Sequence, residues 1–221
     1  MKKNLLKIVS ALAAGAMTLT SLCAFAETFS DIENDPALIT AVNDLSQFGI
    51  ITGYEDGSFR PQNNLTRAEV CAMLSRMFPQ EKSSADTINF TDVDKDSWAY
   101  GPITKAATLS IVDGYEDNTF KPDNNISYQE YIKIIISMVG YKVYAEDLGG
   151  YPHGYMKVAL ANGVTIGLEG FNGADDITRR DAALMLDKIL DVPFILVSTY
   201  NVRGNSEFEW TDDLTFRKFL S

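Results

Sequence analysis

The sequence predicts a mainly α-helical chain, three helix-loop-helix repeats packed on a shared axis and followed by a short β-prone tail. Three observations predict it: a block of motifs recurs at a fixed offset, each copy carries apolar residues at helical spacing on both sides of a turn, and each second helix opens with the same capping pattern. Phe29-Ser30-Asp31-Ile32 returns as Phe90-Thr91-Asp92-Val93, and Gly53-Tyr54-Glu55-Asp56 returns as Gly114-Tyr115-Glu116-Asp117, each pair 61 residues apart. Phe59-Arg60-Pro61 and Phe120-Lys121-Pro122 keep the same offset, as do Asn63-Asn64-Leu65-Thr66 and Asn124-Asn125-Ile126-Ser127. A third copy is shorter and more divergent. Tyr155-Met156-Lys157-Val158-Ala159 resembles a first helix and Ile177-Thr178-Arg179-Arg180-Asp181 matches Leu65-Thr66-Arg67-Ala68-Glu69, but the Gly-Tyr-Glu-Asp turn is not kept.

In chain order, residues 1–26 read as a secretory signal peptide: Lys2, Lys3 and Lys7 form a positive start, Leu5 to Leu22 is mostly apolar, and Ala24-Phe25-Ala26 supplies small residues for cleavage. Repeat one spans 27–84. Asp35-Pro36 offers an N-cap and a first-position proline, Leu38, Val42, Leu45 and Phe48 follow on one face, and Gly49 stops the helix. The Glu55-Asp56-Gly57 turn connects to Thr66-Arg67-Ala68-Glu69, a capping box that starts a helix with Val70, Met73, Leu74 and Met77 as its buried stripe. Repeat two spans 85–144 with its box at Ser127-Tyr128-Gln129-Glu130, and repeat three spans 145–192 with Thr178-Arg179-Arg180-Asp181. Hairpins this small cannot each bury a core, so they are expected to share one. In the tail, 193–221, Phe194 to Tyr200 and Glu207 to Trp210 read as strands around an Arg203-Gly204-Asn205 turn; the segment could equally be a linker or the start of a partner domain.

Composition narrows the chemistry. The 221 residues are 46% hydrophobic and 22% charged, ordinary for a globular chain, and the net charge of −11 leaves no diffuse basic field for nucleic acid or an anionic membrane. Any polyanion must be gripped locally. A single histidine, His153, in a Gly-Tyr-Pro-His-Gly turn, and two cysteines, Cys23 in the signal segment and Cys71 on a helix stripe, argue against zinc, disulfide or thiol chemistry. Asp92-x-Asp94-x-Asp96 begins like a calcium loop, yet Ser97 stands at the sixth position where glycine is needed and Ile103 stands where the closing glutamate belongs, so capping and turn formation explain these acids better. No carboxylate pair separates itself from the acids that recur with the repeat. The expectation is a non-enzyme without metal or cofactor.

The pattern Phe-x-Asp-Val, then Trp98, then Gly-Tyr-x-Asp-x-x-Phe-x-Pro, then Leu65-Thr66-Arg67-Ala68-Glu69 resembles the S-layer homology (SLH) repeat, found in threes in exported proteins of Gram-positive-type cell walls. Gly149-Gly150-Tyr151-Pro152-His153-Gly154-Tyr155 resembles a variant third repeat, so the resemblance covers about residues 27–192. It implies a pseudo-threefold helical domain whose inter-repeat grooves bind secondary cell-wall polysaccharide, often through a pyruvylated amino sugar, and hold the protein at the cell surface on the peptidoglycan. The alternative is a structural subunit that assembles with its own copies, or with another partner through the tail, into an S-layer.

The candidate carbohydrate contacts are Arg67, Arg179, Trp98, Tyr128 and Tyr151, with Gly53, Tyr54, Gly114 and Tyr115 of the recurring turns. Arg67 and Arg179 stand at the first position of a helix, where free amides and the macrodipole favour an anion and a guanidinium adds a carboxylate grip. Trp98 and Tyr151 precede equivalent first helices and offer flat faces to a sugar ring. The competing reading makes the aromatics core staples and the arginines bridges between repeats. Tyr128 replaces arginine in repeat two and Ala37 replaces Trp98 in repeat one, so one or two competent grooves are expected, with Trp98 serving in place of the missing arginine. Secreted protein is expected to begin at Glu27; N-terminal sequencing that returns Met1 would contradict the signal-peptide reading.

Overall fold

The computed structural model describes residues 29–78, 89–168, 170–200, 206–211 and 214–221. The signal-peptide reading of residues 1–26, Cys23, and the Arg203-Gly204-Asn205 turn lie outside the described residues. Helices α1 (Pro36–Gln47) and α2 (Arg67–Ser75) belong to the first copy of the motif, α3 (Tyr100–Thr108) and α4 (Tyr128–Met138) to the second, and α6 (His153–Ala161) and α7 (Arg179–Ile189) to the third. A short α5 (Lys142–Asp147) leads into α6, and the chain continues through β1 (Ile195–Tyr200), β2 (Ser206–Trp210) and α8 (Phe216–Leu220). The structure is mainly helical, as the apolar spacing implies. His153 opens α6 as its first residue, so the turn expected around it ends one residue earlier.

Local chemistry sets the helix starts. Asp35 caps α1 through the Leu38 amide at 3.1 Å, with Pro36 at the first position. Thr66 and Glu69 form the reciprocal box, Glu69 N–H donating to Thr66 Oγ1 at 3.2 Å and Thr66 N–H donating to Glu69 Oε2 at 2.8 Å. Ser127 N–H donates to Glu130 at 2.9 Å in the same way. In the third copy only the forward half forms, Asp181 N–H to Thr178 Oγ1 at 3.2 Å, because the shorter aspartate cannot reach back.

The helices that pack together come from different copies: α2 packs on α3, α4 on α6, and α7 on α1. The residues just ahead of α2, α4 and α7 tie the arrangement shut. Leu65 N–H donates to the Ile177 carbonyl at 3.1 Å, Ile177 N–H to Ile126 at 2.9 Å, and Ile126 N–H to Leu65 at 3.0 Å, a closed ring of three hydrogen bonds. All three side chains are fully buried. Asn64 and Asn125 both donate their amides to Asp176, at 3.2 and 2.7 Å, beside this ring. No copy can satisfy its own backbone here, since each central amide needs a carbonyl from another.

The connecting loops are held by their own first motif. Asp31 accepts the amides of Phe59 and Arg60 at 2.8 and 2.7 Å, and Asp92 accepts those of Phe120 and Lys121, both at 2.7 Å. Asp92, the first acid of the calcium-like pattern, thus clamps loop amides as Asp31 does; among the described residues no cluster of potential metal ligands occurs. Phe29 and Phe90 lie so close to Gly53 and Gly114 that a Cβ on either glycine would meet the ring at 2.0 and 2.3 Å. The Phe-x-Asp motif and the Gly-Tyr turn are therefore two halves of one contact.

The tail is part of the core, which the sequence left open. The β1–β2 hairpin is antiparallel, Ile195 facing Trp210, with a bulge between Val197 and Thr199. Ile195 N–H donates to Val139 at 3.1 Å and Phe194 N–H to Leu214 at 2.9 Å. Phe216, fully buried, packs edge-on against Phe78 at 5.6 Å and against Phe194 at 4.8 Å. Arg217 then bonds three carboxylates, Asp44 and Asp191 at 2.7 Å and Asp187 at 2.9 Å, joining α8 to α1 and α7. Hydrogen bonds to Asp191, then to Asp187 and Asp44, outweigh the cost of burial and raise the Arg217 pKa. Phe216→Ala is expected to lower the unfolding free energy by about 3–5 kcal/mol; a urea midpoint equal to that of the parent protein would show that the tail is not docked.

Candidate functional site

Among the hollows that open between copies of the motif, two are each assembled from three of them. The first is lined by Gly53 and Tyr54 of the first loop, Glu69 and Met73 of α2, Arg76 just after it, Trp98 ahead of α3, and Arg179 of α7, around about 150 Å³. The second repeats the plan one step on, with Gly114 and Tyr115, Glu130, Lys133 and Ser137 of α4, Tyr151 ahead of α6, and Arg67 of α2, around about 250 Å³. Eight of the nine residues anticipated from the sequence thus line two hollows, four in each. No sequence signal short of the fold shows that Arg179 meets Tyr54 across 125 residues.

The arginines do more than wait for an anion. Arg67 Nε donates to the Phe120 carbonyl at 2.9 Å and Nη2 to the Asp113 carbonyl at 3.1 Å, with the guanidinium 4.5 Å from the Phe120 ring and 5.1 Å from the Tyr115 ring. Arg179 Nε donates to the Phe59 carbonyl at 2.9 Å and its guanidinium lies 4.8 and 4.9 Å from the rings of Phe59 and Tyr54. Both bridge neighbouring copies, and Arg179 is only 8% exposed. The free helix amides expected beside them are not free. Arg67 N–H and Ala68 N–H donate to Asn124 and Pro122 at 2.9 and 3.0 Å, and Arg179 N–H and Arg180 N–H donate to Asn63 and Pro61 at 2.8 and 2.9 Å. Carbonyls of the neighbouring loop take the place an anion would have had, so the cationic character of each hollow rests on side chains.

Tyr128 is the exception among the anticipated residues. It holds the helix position of Arg67 and Arg179, and its amide likewise donates to a neighbouring loop, to Asp175 at 3.0 Å. Its ring is 6% exposed, stacks on Phe171 at 5.0 Å, and its hydroxyl donates to Asp181 Oδ2 at 2.5 Å. Burial first, then that bond, pushes the phenol up to about 12, so it stays a neutral donor. Tyr128 lines neither of the two hollows. Trp98, 64% exposed, lines the same hollow as Arg179, where the sequence reading had it serving in place of a missing arginine.

Sequence reasoning passed over Arg76, Lys133 and Lys142, all of which line a hollow. The repeat offset carried a signal for two of them, since Lys133 falls 61 residues after Ala72, and Ser137 after Arg76, so the cation changes place from copy to copy. Arg76 Nη1 donates to the Ile50 carbonyl at 3.1 Å. Cys71 contributes nothing reactive: it is buried, and burial pushes its thiol up to about 12. Among the described residues no helix is long and apolar enough to cross a membrane.

The S-layer homology domain family matches this chain at residues 28–71 and again at 89–132. A cell surface protein of Thermoanaerobacter kivui is 30% identical over 201 residues, covering 87% of this chain and 26% of the relative. The middle cell wall protein of Brevibacillus brevis is 29% identical over 222 residues, covering 97% of this chain and 20% of the relative. A cellulosome-anchoring protein of Acetivibrio thermocellus is 26% identical over 157 residues, covering 64% of this chain and 35% of the relative. The chain spans roughly a third or less of these relatives' lengths. Because Arg179 joins two copies from a buried position, Arg179→Ala is expected to lower the unfolding free energy by about 1–3 kcal/mol. Chemical denaturation checks this, and an unchanged midpoint would show that the bridge is not formed.

Proposed function

The chain carries S-layer homology domains, and we propose that it anchors to the cell wall by binding secondary cell-wall polysaccharide in the two hollows, through an acidic sugar such as a pyruvylated amino sugar. It is an exported cell-surface protein with a structural or anchoring role. The observation that carries the proposal is the repeated pairing of a cation with an exposed aromatic face, Arg179 with Trp98 and Arg67 with Tyr151. An aromatic ring covers the apolar face of a sugar while a guanidinium bonds its carboxylate. Each of these arginines uses part of its fork on a backbone carbonyl, which fixes its direction and leaves other N–H groups to the ligand.

The bound polymer touches three copies at once in either hollow, so binding also resists separation of the copies. The relatives that bear the words cell wall and anchoring in their names support the same role. Cosedimentation with isolated walls, before and after hydrofluoric acid has stripped the phosphodiester-linked polymer, tests it. Binding is expected to native walls and to vanish from stripped ones. Trp98→Ala, at an exposed position, and Arg67→Ala are each expected to weaken binding, the arginine variant about tenfold or more if its hollow dominates. Full binding by the folded double variant, or equal binding to stripped walls, would overturn the proposal. Protein that pellets without walls would favour self-assembly instead.

A further inference from the structure

The sequence holds two Asn-Gly pairs, Asn162-Gly163 and Asn172-Gly173, and the fold treats them differently. An asparagine followed by glycine loses its side-chain amide without any enzyme when the next backbone nitrogen reaches Cγ, since glycine has no Cβ to obstruct the approach. The reaction needs that nitrogen to be free of other partners and the asparagine to be open to water.

Asn162 meets neither condition. It is the half-buried C-cap of α6, its Nδ2 donates to the Val158 carbonyl at 2.9 Å, and Gly163 N–H donates to the Leu160 carbonyl at 3.1 Å. Leaving group and nucleophile are both held. Asn172, in the connecting loop of the third copy, is exposed. Among the described residues Gly173 N–H makes no hydrogen bond. The Asn172 side chain folds over the chain that follows, Oδ1 accepting from Ala174 N–H at 3.3 Å and Nδ2 donating to Asp175 at 3.5 Å, so it is turned toward the peptide that would attack it.

The same loop caps α4. The Gly173 carbonyl accepts from Gln129 N–H at 2.9 Å and the Asp175 carbonyl from Tyr128 N–H at 3.0 Å, while the Asn172 carbonyl closes the turn by accepting from Asp175 N–H at 3.0 Å. We propose that Asn172-Gly173 is a site of spontaneous deamidation, and that its isoaspartyl product loosens the cap of α4. The deprotonated Gly173 nitrogen attacks Cγ of Asn172; the N–Cγ bond forms, the Cγ–Nδ2 bond breaks, and the amide nitrogen takes up protons from water and leaves as ammonia. Water then opens the cyclic imide at one of its two carbonyls. Opening at Cγ leaves aspartate, and opening at the main-chain carbonyl leaves isoaspartate, in which the chain runs through Cγ and the former carbonyl carbon becomes a carboxylate. Nothing is oxidised or reduced. Isoaspartate adds a carbon to the chain ahead of Gly173 and removes the carbonyl that accepts from Asp175, so the capping carbonyls lose register with Tyr128 and Gln129. Either product replaces the amide that donates to Asp175 by a carboxylate, turning an attraction into a repulsion.

The test holds the purified folded chain at neutral and at mildly alkaline pH and follows both asparagines by peptide mass spectrometry, with isoaspartyl methyltransferase labelling to count the isomer. Conversion is expected at Asn172, faster at the higher pH because the nucleophile is the deprotonated amide, and about tenfold or more faster than at Asn162, where two hydrogen bonds must first be given up. Unfolding in urea is expected to bring the two rates together. Gly173 has no positive φ, and a Cβ there would meet Gln129 and Met156 at 3.5 Å and beyond, so Gly173→Ala keeps the fold and is expected to slow the reaction. Asn172→Gln, which would need a larger ring, is expected to slow it too. The isoaspartyl fraction is expected to unfold at lower urea than fresh protein, with Asn172→Asp, which has the charge without the added carbon, between them. Equal rates at the two asparagines in the folded chain, an Asn172 that stays intact while the unfolded sample reacts, or unslowed conversion in both variants would overturn the site. An isoaspartyl fraction with the midpoint of fresh protein would overturn the loosening of the cap.

Discussion

The hydrogen-bond ring through Leu65, Ile126 and Ile177 is the constraint on which the remaining structure depends. Each of these residues ends a loop and precedes a helix, and each has its amide and carbonyl directed at two different copies. An edge of this kind, left open, would expose unpaired backbone inside an apolar centre, at a cost of about 1–3 kcal/mol for each unsatisfied group. Closure is what packs three short helix pairs around one centre. It also explains why α7 must return to α1: a chain of two copies would leave both ends of the ring without partners.

The hollows follow from that closure. Once the ring places each second helix against a neighbour's loop, the helix amides are capped by carbonyls of Pro61, Asn63, Pro122, Asn124, Gly173 and Asp175. This uses the positive end of the dipole internally. The side chain at the first helical position is then carried toward the neighbouring loop, where Arg67 and Arg179 each reach a backbone carbonyl beside a Gly-Tyr turn and Tyr128 packs on Phe171.

The docked tail adds a second closure. Phe216 inserts between Phe78 and Phe194, and Arg217 meets carboxylates from α1 and α7, the pair of helices at which the ring returns to its start. The seam between the first and third copies is therefore held by the last residues of the chain. An ion pair at the surface contributes little by itself, but one guanidinium shared by three acids and pinned by a buried phenylalanine next to it is geometrically fixed.

The amino-acid sequence by itself determined the repeat, the helix pairs, their capping residues and the strands of the tail, because these rest on local spacing and on side chains that bond their own backbone within a few residues. It also located Arg67, Arg179, Trp98, Tyr151 and the Gly-Tyr turns as the residues to watch. What it could not decide was which of them meet. Arg179 meets Tyr54 and shares a hollow with Trp98, and Arg67 meets Tyr115 and shares one with Tyr151, only because packing pairs the second helix of one copy with the first helix of the next. The fate of the helix amides, the burial of Tyr128, the convergence of Lys133 and Lys142 on Arg67, and the anchoring of the tail by Phe216 and Arg217 all depend on residues far apart in the chain. Their energies come from desolvation and from partners supplied by another copy, and those exist only once the ring has closed.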